Sequence, residues 1–407
     1  MPRIQGITIR RYRALHEVTL GKTFEQQSPE ELTDLVAVIG PNGSGKSTLM
    51  DALGFLGDCL RLGVEQACEQ PHRGGFERLR TKGELGPIEF EIYYRQEPSA
   101  RPISYSLAIN VDLKGRPTAV RETLRQGRAG QTVGQPYRFL DLTDGMGWAW
   151  AGETATEDKK APKQPVKLDD PRRLGIVTLG NLAEHPRIVA FREFLEGWYL
   201  SYFVPDLART LPMAGAQKHL DREGRNLANY VQHMERERPD RFKKVLTRIA
   251  KRIPGVRNIR TARSTDGRLL IQFDDRGYQD PFYAQDMSDG TLKLFAYLLL
   301  LEDPEPAPLI GIEEPENGLY HALLPTLADE MRNASETLRG PQIFVTTHSP
   351  YFVDALLPEQ VWILQKNNSG ASTVLRAADQ RAVRDLVKEG LPLGGLWYSG
   401  DLDLANP

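Results

Sequence analysis

The stretch Leu35-Val36-Ala37-Val38-Ile39-Gly40-Pro41-Asn42-Gly43-Ser44-Gly45-Lys46-Ser47-Thr48 decides the fold of this chain. Its pattern predicts a buried strand, a glycine-rich loop and a helix that begins near Lys46. The loop fits G-x-x-x-x-G-K-[S/T], in which backbone N–H groups curl around phosphate oxygens. Gly40, Gly43 and Gly45 permit that curl, and the helix N-terminus adds its positive end to the same point. The stretch therefore predicts a phosphate-binding loop in which Lys46 reaches the β and γ phosphates and Ser47 ligates Mg²⁺.

Length, composition and charge describe an ordinary globular protein. The 407 residues suffice for two or three packed units, and the formal net charge of −2 excludes a uniformly basic nucleic-acid coat. Cys59 and Cys68 are predicted to be reduced residues in the core or on a helix face, as in a cytoplasmic protein. The N-terminus lacks the features of a signal peptide, and the longest apolar run, Leu294 to Leu301, is too short to span a bilayer. We therefore expect a cytoplasmic protein without a membrane partner.

The N-terminal half is predicted to be mostly β-structure. Alternation between Ile7 and Leu20 predicts edge strands, and short alternating runs from 88 to 142 predict an antiparallel β-meander. Between them we expect a helix that ends near Cys68 and a loop over 70–83. Of the cations in the edge strands, Arg10, Arg11 and Arg13, we select Arg13 as a residue that stacks on or caps a nucleotide base. A solvated basic strand face explains these arginines equally well.

The middle of the chain is predicted to be helical after a polar loop. Residues 151–170 are polar and proline-containing, which predicts a disordered loop. From Asn181 to Ile253 the period becomes helical. One stripe is interpreted as core and consists of Phe191, Phe194, Leu195, Trp198 and Tyr199. Further helices are expected over 227–234 and 241–252.

A basic segment follows Asp240, since no acidic residue occurs again before Asp266. Its cations on one helix are consistent with contacts to a DNA phosphate backbone. The residues selected for this role are Arg241, Lys244, Arg248, Lys251 and Arg252. A solvated helix face, or a face that pairs with acidic residues elsewhere, is equally consistent with the pattern.

The C-terminal third carries three more candidate motifs. Ser288-Asp289-Gly290-Thr291 precedes a strongly apolar helix, so Ser288 and Gly290 lie at an anion-favouring N-terminus. Leu309 to Glu313 is predicted to be a strand, and Glu313 and Glu314 at its end are the kind of carboxylates that hold a metal and polarise water. A third buried strand, 342–347, precedes His348. We also expect strands over 361–364 and 373–376, a helix over 381–388, and a glycine-rich tail that packs on the core or on a partner.

Together these motifs resemble those of the ABC-type ATPase heads of the structural-maintenance-of-chromosomes (SMC) and RecF group. The resemblance is strongest to compact bacterial AAA-type, ABC-like ATPases of OLD-like nucleases and anti-phage defence operons, and it covers nearly the whole chain. Gly40–Thr48 matches Walker A, Ser288–Thr291 the signature, Ile310–Glu314 Walker B and Thr347–Ser349 the switch histidine. The resemblance implies an α/β P-loop NTPase fold with a mixed central sheet, an antiparallel β lobe and an inserted helical subdomain.

The corresponding boundaries are an N-terminal part of the ATPase core over 1–85, the β lobe over 86–150, a flexible loop over 151–175, the helical subdomain over 176–265, and the C-terminal part of the core over 266–407.

The resemblance also implies a mechanism that uses ATP and Mg²⁺. Two copies pair head to tail, as a dimer or within a higher oligomer, and each ATP lies between the P-loop of one copy and Ser288 and Gly290 of the other. Lys46, Glu314 and His348 are the implied catalytic residues, and Ser47 and Glu313 the implied metal ligands. The implied nucleotide-binding residues are Asn42, Gly43, Ser44, Gly45, Lys46, Ser47, Thr48, Ser288, Gly290 and Arg13.

Three features depart from the family pattern. Walker B has Glu313 where an aspartate is usual, and the signature has Asp289 where transporters have glycine. The Q-loop glutamine is not assignable: Gln66 and Gln70 are candidates, and the loop Arg73-Gly74-Gly75-Phe76 is another.

Four functions are compatible with these motifs. The first is an ATPase that regulates a separate effector, such as a TOPRIM-type nuclease or a toxin, since no such nuclease follows the ATPase core in this sequence. The second is a RecF-like DNA-binding ATPase, and the third a nucleotide-gated scaffold with very slow hydrolysis. The motor of a membrane transporter is disfavoured, because Lys46 and Ser288 lie further apart than in such motors.

Overall fold

The computed structural model describes residues 1–24, 26, 30–127, 137–151, 163–215, 217–237, 239–367 and 370–400. The chain forms two compact units. The first unit comprises residues 1–198 and 358–385, and the second unit comprises residues 199–357 and 386–407. None of the helices within the described ranges is both long and apolar enough to cross a membrane.

The strands, in chain order, are β1 Arg3–Tyr12, β2 Leu15–Gly21, β3 Leu35–Ile39, β4 Ile88–Arg95, β5 Ile103–Val111, β6 Pro117–Gln126, β7 Tyr137–Thr143, β8 Met146–Trp150, β9 Lys163–Lys167, β10 Tyr199–Ser201, β11 Val256–Arg263, β12 Leu269–Asp275, β13 Phe282–Tyr283, β14 Leu309–Glu313, β15 Gln342–Thr347, β16 Val361–Lys366 and β17 Ser372–Arg376. The α-helices are α1 Lys46–Leu62, α2 Val64–Cys68, α3 Phe76–Leu79, α4 Gly175–Leu179, α5 Pro186–Glu196, α6 Pro205–Ala208, α7 Leu227–Glu237, α8 Pro239–Arg252, α9 Asp289–Leu301, α10 Leu324–Ser335, α11 Pro350–Val353, α12 Arg381–Lys388 and α13 Leu393–Tyr398.

In the first unit, an antiparallel eight-stranded sheet has the order β2-β1-β4-β5-β6-β7-β8-β9. The expected meander is thus confirmed, and it also includes the two N-terminal strands. β2 is an edge strand as expected, whereas β1 lies inside the sheet between β2 and β4. Buried and less buried positions alternate in parts of β5 and β7, whereas β1 is buried without a break from Ile4 to Ile9. Tyr12, Phe55 and Phe90 pack with ring centroids 5.6–5.9 Å apart, which joins this sheet to α1.

The P-loop strand belongs to a second set of strands in the first unit. β3 is buried along its whole length and pairs in parallel with β16, placing Val38 opposite Trp362. β17 then pairs antiparallel with β16. Both strands predicted near the C-terminus are confirmed, and the resulting arrangement is mixed, as the fold class requires.

The second unit contains the parallel strands β10, β14 and β15, and a small antiparallel sheet of β11, β12 and β13. The apolar helix α9 buries most of its side chains, Phe295 against Phe273 of β12 among them. Because β14 and β15 run in the same direction, the residues that follow both strands meet at one edge.

Four expectations about local structure are corrected. The helix expected to reach Cys68 ends at Leu62, because Gly63 adopts a φ of 88° before α2 begins. The loop expected over 70–83 contains α3. Residues 163–167 of the expected flexible loop form β9, which pairs with β8; residues 152–162 of that loop lie outside the described residues.

The predicted helical segment 176–265 also differs, because it contains β10 and most of β11 and is divided between the two units after Trp198. The predicted aromatic stripe is buried as expected for Phe191, Phe194, Leu195 and Trp198. Tyr199 lies instead on β10, because α5 has already ended at Glu196.

Candidate functional site

The P-loop of the first unit connects β3 to α1 by a turn that only glycine fits at its start. A Cβ atom on Gly40 would lie 2.1 Å from the carbonyl oxygen of Leu364, and the φ of Gly40 is 152°. Gly45, with a φ of 111°, occupies the N-cap of α1. An L-residue at either position would be strained, so the glycines decide this backbone path.

The N-terminus of α1 is open to an anion. Within the described part of the chain, no side chain caps the helix, and its first turn contains no acidic residue. Such an end exposes unpaired N–H groups and the positive pole of the helix. The buried Ser44 Oγ also has no hydrogen-bond partner among the described residues. These features fit the phosphate groups of a nucleotide.

Lys46 and Ser47 are the first two residues of α1, and one is buried whereas the other is exposed. Lys46 is buried, and its Nζ donates to the carbonyl oxygens of Gly40 and Pro41, at 2.9 and 3.2 Å. The ammonium group thus lies within the loop that should hold phosphate. Ser47 is exposed, as a residue that gives its hydroxyl to a hydrated cation should be.

β17 supports the loop through a contact that sequence reasoning missed. The Ser372 hydroxyl donates to the carbonyl oxygen of Ser44 at 2.7 Å, in a buried position. These two residues are far apart along the chain. Only the pairing of β17 with β16 indicates that Ser372 reaches the loop.

Arg13 lies beside α1 rather than free in solution. Its guanidinium is 3.1 Å from Asp51 and donates to the carbonyl oxygen of His72 at 2.9 Å. Its predicted contact with a nucleotide base remains a proposal. The Q-loop candidate Arg73 is buried and paired with Asp51 and Asp58, at 3.0 and 2.7 Å. Arg73 therefore anchors this loop to α1.

In the second unit, the end of β14 places two carboxylates in succession. Glu314 adopts a φ of 44°, which is uncommon for a non-glycine residue and is one kind of backbone strain that functional sites use. Its N–H donates to the carbonyl oxygen of Thr346 at 2.9 Å. Its side chain accepts a hydrogen bond from Asn317 Nδ2 at 2.8 Å. The left-handed backbone at Glu314 thus turns the chain out of the direction of β14.

His348 follows β15 at the same edge. Its Nδ1 is 3.5 Å from Glu314 Oε1 and 3.2 Å from Glu316 Oε1. The imidazole is about half exposed, whereas the Glu316 carboxylate is almost completely buried. The structure therefore brings the predicted Glu314 and His348 together and adds Glu316, a residue that sequence reasoning left without a role.

The signature segment packs against the turn that follows β14. Ser288 caps α9 by accepting from the Thr291 N–H at 3.3 Å. A Cβ on Gly290 would lie 2.4 Å from the carbonyl oxygen of Gly318, so the two turns touch closely. Lys293 donates to the carbonyl oxygen of Asn317 at 2.9 Å. Burial lowers the pKa of Lys293, although nearby carboxylates, Glu316 first among them, oppose that effect.

Asp289, the unusual residue of the signature, has a cationic partner within the same unit. Arg209 of the α6 C-cap forms an ion pair with Asp289 and donates to the carbonyl oxygen of Met287 at 2.8 Å. This pair neutralises the carboxylate that the sequence places near a phosphate. Sequence reasoning missed Arg209, since nothing local connects it to the signature.

The predicted basic face is partly neutralised. Arg248 pairs with Glu302, and Arg252 lies 2.7 Å from Glu330. For these two residues the alternative interpretation, pairing with acidic residues elsewhere, is confirmed. Arg241, Lys244 and Lys251 remain exposed on α8.

The glycine-rich tail packs within the second unit. α13 contacts α11, and Asp354 Oδ1 accepts from the N–H groups of Gly394 and Gly395, at 2.8 and 3.2 Å. The main chain of Gly394 passes close to Pro350, where a Cβ would lie 2.0 Å from a carbonyl oxygen. This close approach explains why small residues occur in the tail.

Comparison with known proteins identifies relatives of this architecture. The family model described as "AAA domain, putative AbiEii toxin, Type IV TA system" matches residues 35–354. Among curated proteins, no sequence matches this chain.

Two solved structures of SMC heads resemble the chain at low sequence identity. One is the SmcHead bound to the C-winged helix domain of ScpA, with 16% identity, a TM-score of 0.52, and coverage of 91% of this chain and 97% of that chain. The other is the Smc head domain with an extended coiled coil bound to the C-terminal domain of ScpA, derived from Pyrococcus furiosus. It shows 15% identity, a TM-score of 0.53, and coverage of 95% and 100%. The fold is therefore that of the SMC-head ATPase domains, a P-loop NTPase fold.

Proposed function

This chain belongs to the AAA family described as "AAA domain, putative AbiEii toxin, Type IV TA system", and we propose that it binds ATP with Mg²⁺ and hydrolyses the ATP. The observation that carries this proposal is the P-loop. A strained glycine turn, an uncapped helix N-terminus and a buried lysine at its base form a phosphate-binding structure.

The proposed roles follow the chemistry of each residue. Backbone N–H groups of 42–48 and the Lys46 ammonium bind the phosphates. Ser47 and Glu313 hold Mg²⁺, Glu313 directly or through water, and the ion neutralises phosphate charge when bound. Glu314 orients the attacking water, and His348 hydrogen-bonds the γ-phosphate. The left-handed backbone at Glu314 and the proximity of its carboxylate to His348 support these two assignments.

We further propose that two copies pair head to tail and that ATP holds them together. Ser288 is exposed at the N-terminus of α9, so its hydroxyl is accessible to a nucleotide carried by a second copy. The Arg209–Asp289 pair supports this role, because it removes a net negative charge that would repel phosphate. Hydrolysis would then release the copies.

The biological role that we propose is the regulation of a separate effector protein, as in anti-phage defence. The SMC heads that resemble this chain are themselves bound to domains of another protein, ScpA. A toxin or a TOPRIM-type nuclease would be the corresponding partner here.

A second candidate function is DNA binding, which the exposed Arg241, Lys244 and Lys251 favour. Reversal of these three charges to glutamate should then weaken DNA binding and flatten its dependence on salt. The matched control reverses Lys82 and Lys114, which are exposed in the first unit. DNA binding that is equally weak in both variants would reject this surface.

The experiment that tests the main proposal is ATP hydrolysis by the purified chain, with Glu314→Gln as the blank. Phosphate release should depend on Mg²⁺ and be lost in the variant. Phosphate release that is undiminished in Glu314→Gln would contradict the proposal. Addition of duplex DNA to the same assay separates a DNA-stimulated ATPase from one that responds to a protein effector.

A further inference from the structure

Glu316 is a buried carboxylate with an unusual concentration of donors on one oxygen. Its Oε1 accepts from the Thr347 hydroxyl at 2.8 Å and from the His348 main-chain N–H at 2.7 Å. The His348 Nδ1 lies 3.2 Å from the same oxygen. Glu316 Oε2 is buried and has no hydrogen-bond partner among the described residues.

This arrangement holds the backbone of His348 and places a carboxylate oxygen beside its ring. The residue follows β15, where the main chain leaves the sheet, and the carboxylate holds the first N–H beyond that strand. The ring nitrogen that faces a carboxylate is the one that carries hydrogen, since a carboxylate only accepts. A neutral ring in this position carries its hydrogen on Nδ1, which leaves Nε2 as the nitrogen available to a ligand.

The neighbouring Glu314 is held differently. Its carboxylate is further from Nδ1, at 3.5 Å, and is bound by the exposed Asn317 amide. Glu316 thus takes the closer contact with the imidazole. The Glu314 carboxylate therefore lies further from the imidazole than the Glu316 carboxylate does.

We propose that Glu316 is a positioning residue that sets the orientation and tautomer of His348. The proposal rests on the proposed ATPase function for its catalytic consequence, because a misplaced ring would no longer meet the γ-phosphate. The placement of the ring itself does not depend on that function. Glu316 acts through His348 and does not touch the nucleotide.

The test combines two substitutions of Glu316 with a double-mutant cycle. Glu316→Ala removes the acceptor and should lower kcat about 100-fold, whereas Glu316→Gln keeps a neutral acceptor and should lower it about 10-fold. The Kd for ATP should change much less than kcat, since the P-loop groups that bind the phosphates are kept. In the His348→Ala background both substitutions should reduce kcat less than about twofold further, because the two residues act as one unit. Glu336→Gln, on an exposed residue after α10, is the matched control and should leave kcat unchanged.

A spectroscopic readout separates this proposal from the ATPase proposal. The ¹⁵N signals of the His348 ring should report an Nδ1–H tautomer in the intact chain and a changed tautomer population in Glu316→Ala, which lacks the acceptor. If the chain hydrolyses no ATP, the proposed function fails, and the ring signals alone decide the role of Glu316. An unchanged tautomer in Glu316→Ala, or a loss of kcat that is equally large without His348, would overturn the inference.

Discussion

The P-loop of the first unit and the carboxylate–histidine cluster of the second unit are built in opposite ways. The P-loop is one continuous stretch whose binding groups are mainly backbone N–H groups, shaped by glycines. The cluster consists of side chains from separate parts of the chain, namely Arg209, Asp289, Glu314, Glu316 and His348. A site made from contiguous backbone is visible in a sequence pattern, whereas a site made from side chains depends on how distant segments pack.

The largest expected effects come from one substitution in each region. Lys46→Ala and Glu314→Gln should each lower ATP hydrolysis by about 100-fold or more. Lys46→Ala should also weaken nucleotide binding, because it removes the cation inside the loop, whereas Glu314→Gln should leave binding intact. Titration with a fluorescent ATP analogue, alongside a phosphate-release assay, measures both.

The matched control for this pair is Lys114→Ala, on an exposed turn of the first unit. It should change neither hydrolysis nor binding. If Glu314→Gln weakened nucleotide binding as much as Lys46→Ala, the contrast between a binding region and a reacting region would be wrong.

The second expected effect is on the stability of the P-loop backbone. Gly40→Ala should lower the free energy of unfolding by about 3 kcal/mol, because its Cβ would collide with a carbonyl oxygen in a strained backbone. A Cβ on residue 43 would meet no atom of the described residues within 4 Å, so Gly43→Ala, at a φ of 79°, should cost only about 1 kcal/mol. Urea unfolding measures both variants, and equal costs would show that the close approach to Leu364 is unimportant.

The third prediction concerns a buried carboxylate of the first unit that has no part in the proposed chemistry. Glu122 accepts from the N–H groups of Gly175 and Ile176, at 2.5 and 3.0 Å, and from the Tyr105 hydroxyl at 3.0 Å. Glu122→Gln brings an amide donor against these donors and should cost about 2 kcal/mol of stability. The thermal midpoint should fall while the Kd for ATP stays constant.

Replacement of glutamate by glutamine should therefore have opposite effects in the antiparallel sheet and in the carboxylate–histidine cluster. Glu122→Gln should lower stability without affecting kcat, whereas Glu314→Gln should lower kcat without lowering stability. A large loss of kcat in a Glu122→Gln variant that is still folded would contradict this prediction. It would show that the antiparallel sheet affects the reaction.

The smallest expected effect lies at the signature. Arg209→Ala leaves the Asp289 carboxylate without its cation, and it should weaken ATP-dependent dimerisation about tenfold, or about 1.4 kcal/mol. Because the pair is partly exposed, its effect on stability should be below about 1 kcal/mol. Analytical ultracentrifugation in the presence of ATP, with the Glu314→Gln substitution added to prevent hydrolysis, measures the fraction of dimer.

The double substitution Arg209→Ala with Asp289→Asn supplies the control. It should restore dimerisation if charge is the cause, because the unpaired carboxylate is gone. A dimer that stays weak in the double variant would mean that Arg209 acts through its packing or through its bond to Met287.

Local sequence patterns were sufficient for the elements that local physics decides. The P-loop, the strands around Val38, Ile312 and Val345, and the N-cap at Ser288 all agree with prediction. In each case a short apolar run, a glycine turn or a capping hydroxyl acts within a few residues. The prediction was wrong where one residue interrupts a helical repeat of apolar residues, as Gly63 does in the helix expected to reach Cys68.

The sequence by itself determined that this protein has a P-loop and a strand ending in two carboxylates, because both are continuous segments with their own steric and hydrogen-bonding requirements. Only the tertiary structure decided which side chains from distant segments contact the residues of these motifs. Ser372 under the P-loop, Arg209 beside Asp289 and Glu316 beneath His348 reach their partners through strand pairing and turn packing. Sequence spacing cannot show these contacts, since the distances that matter close only when the strands and turns pack.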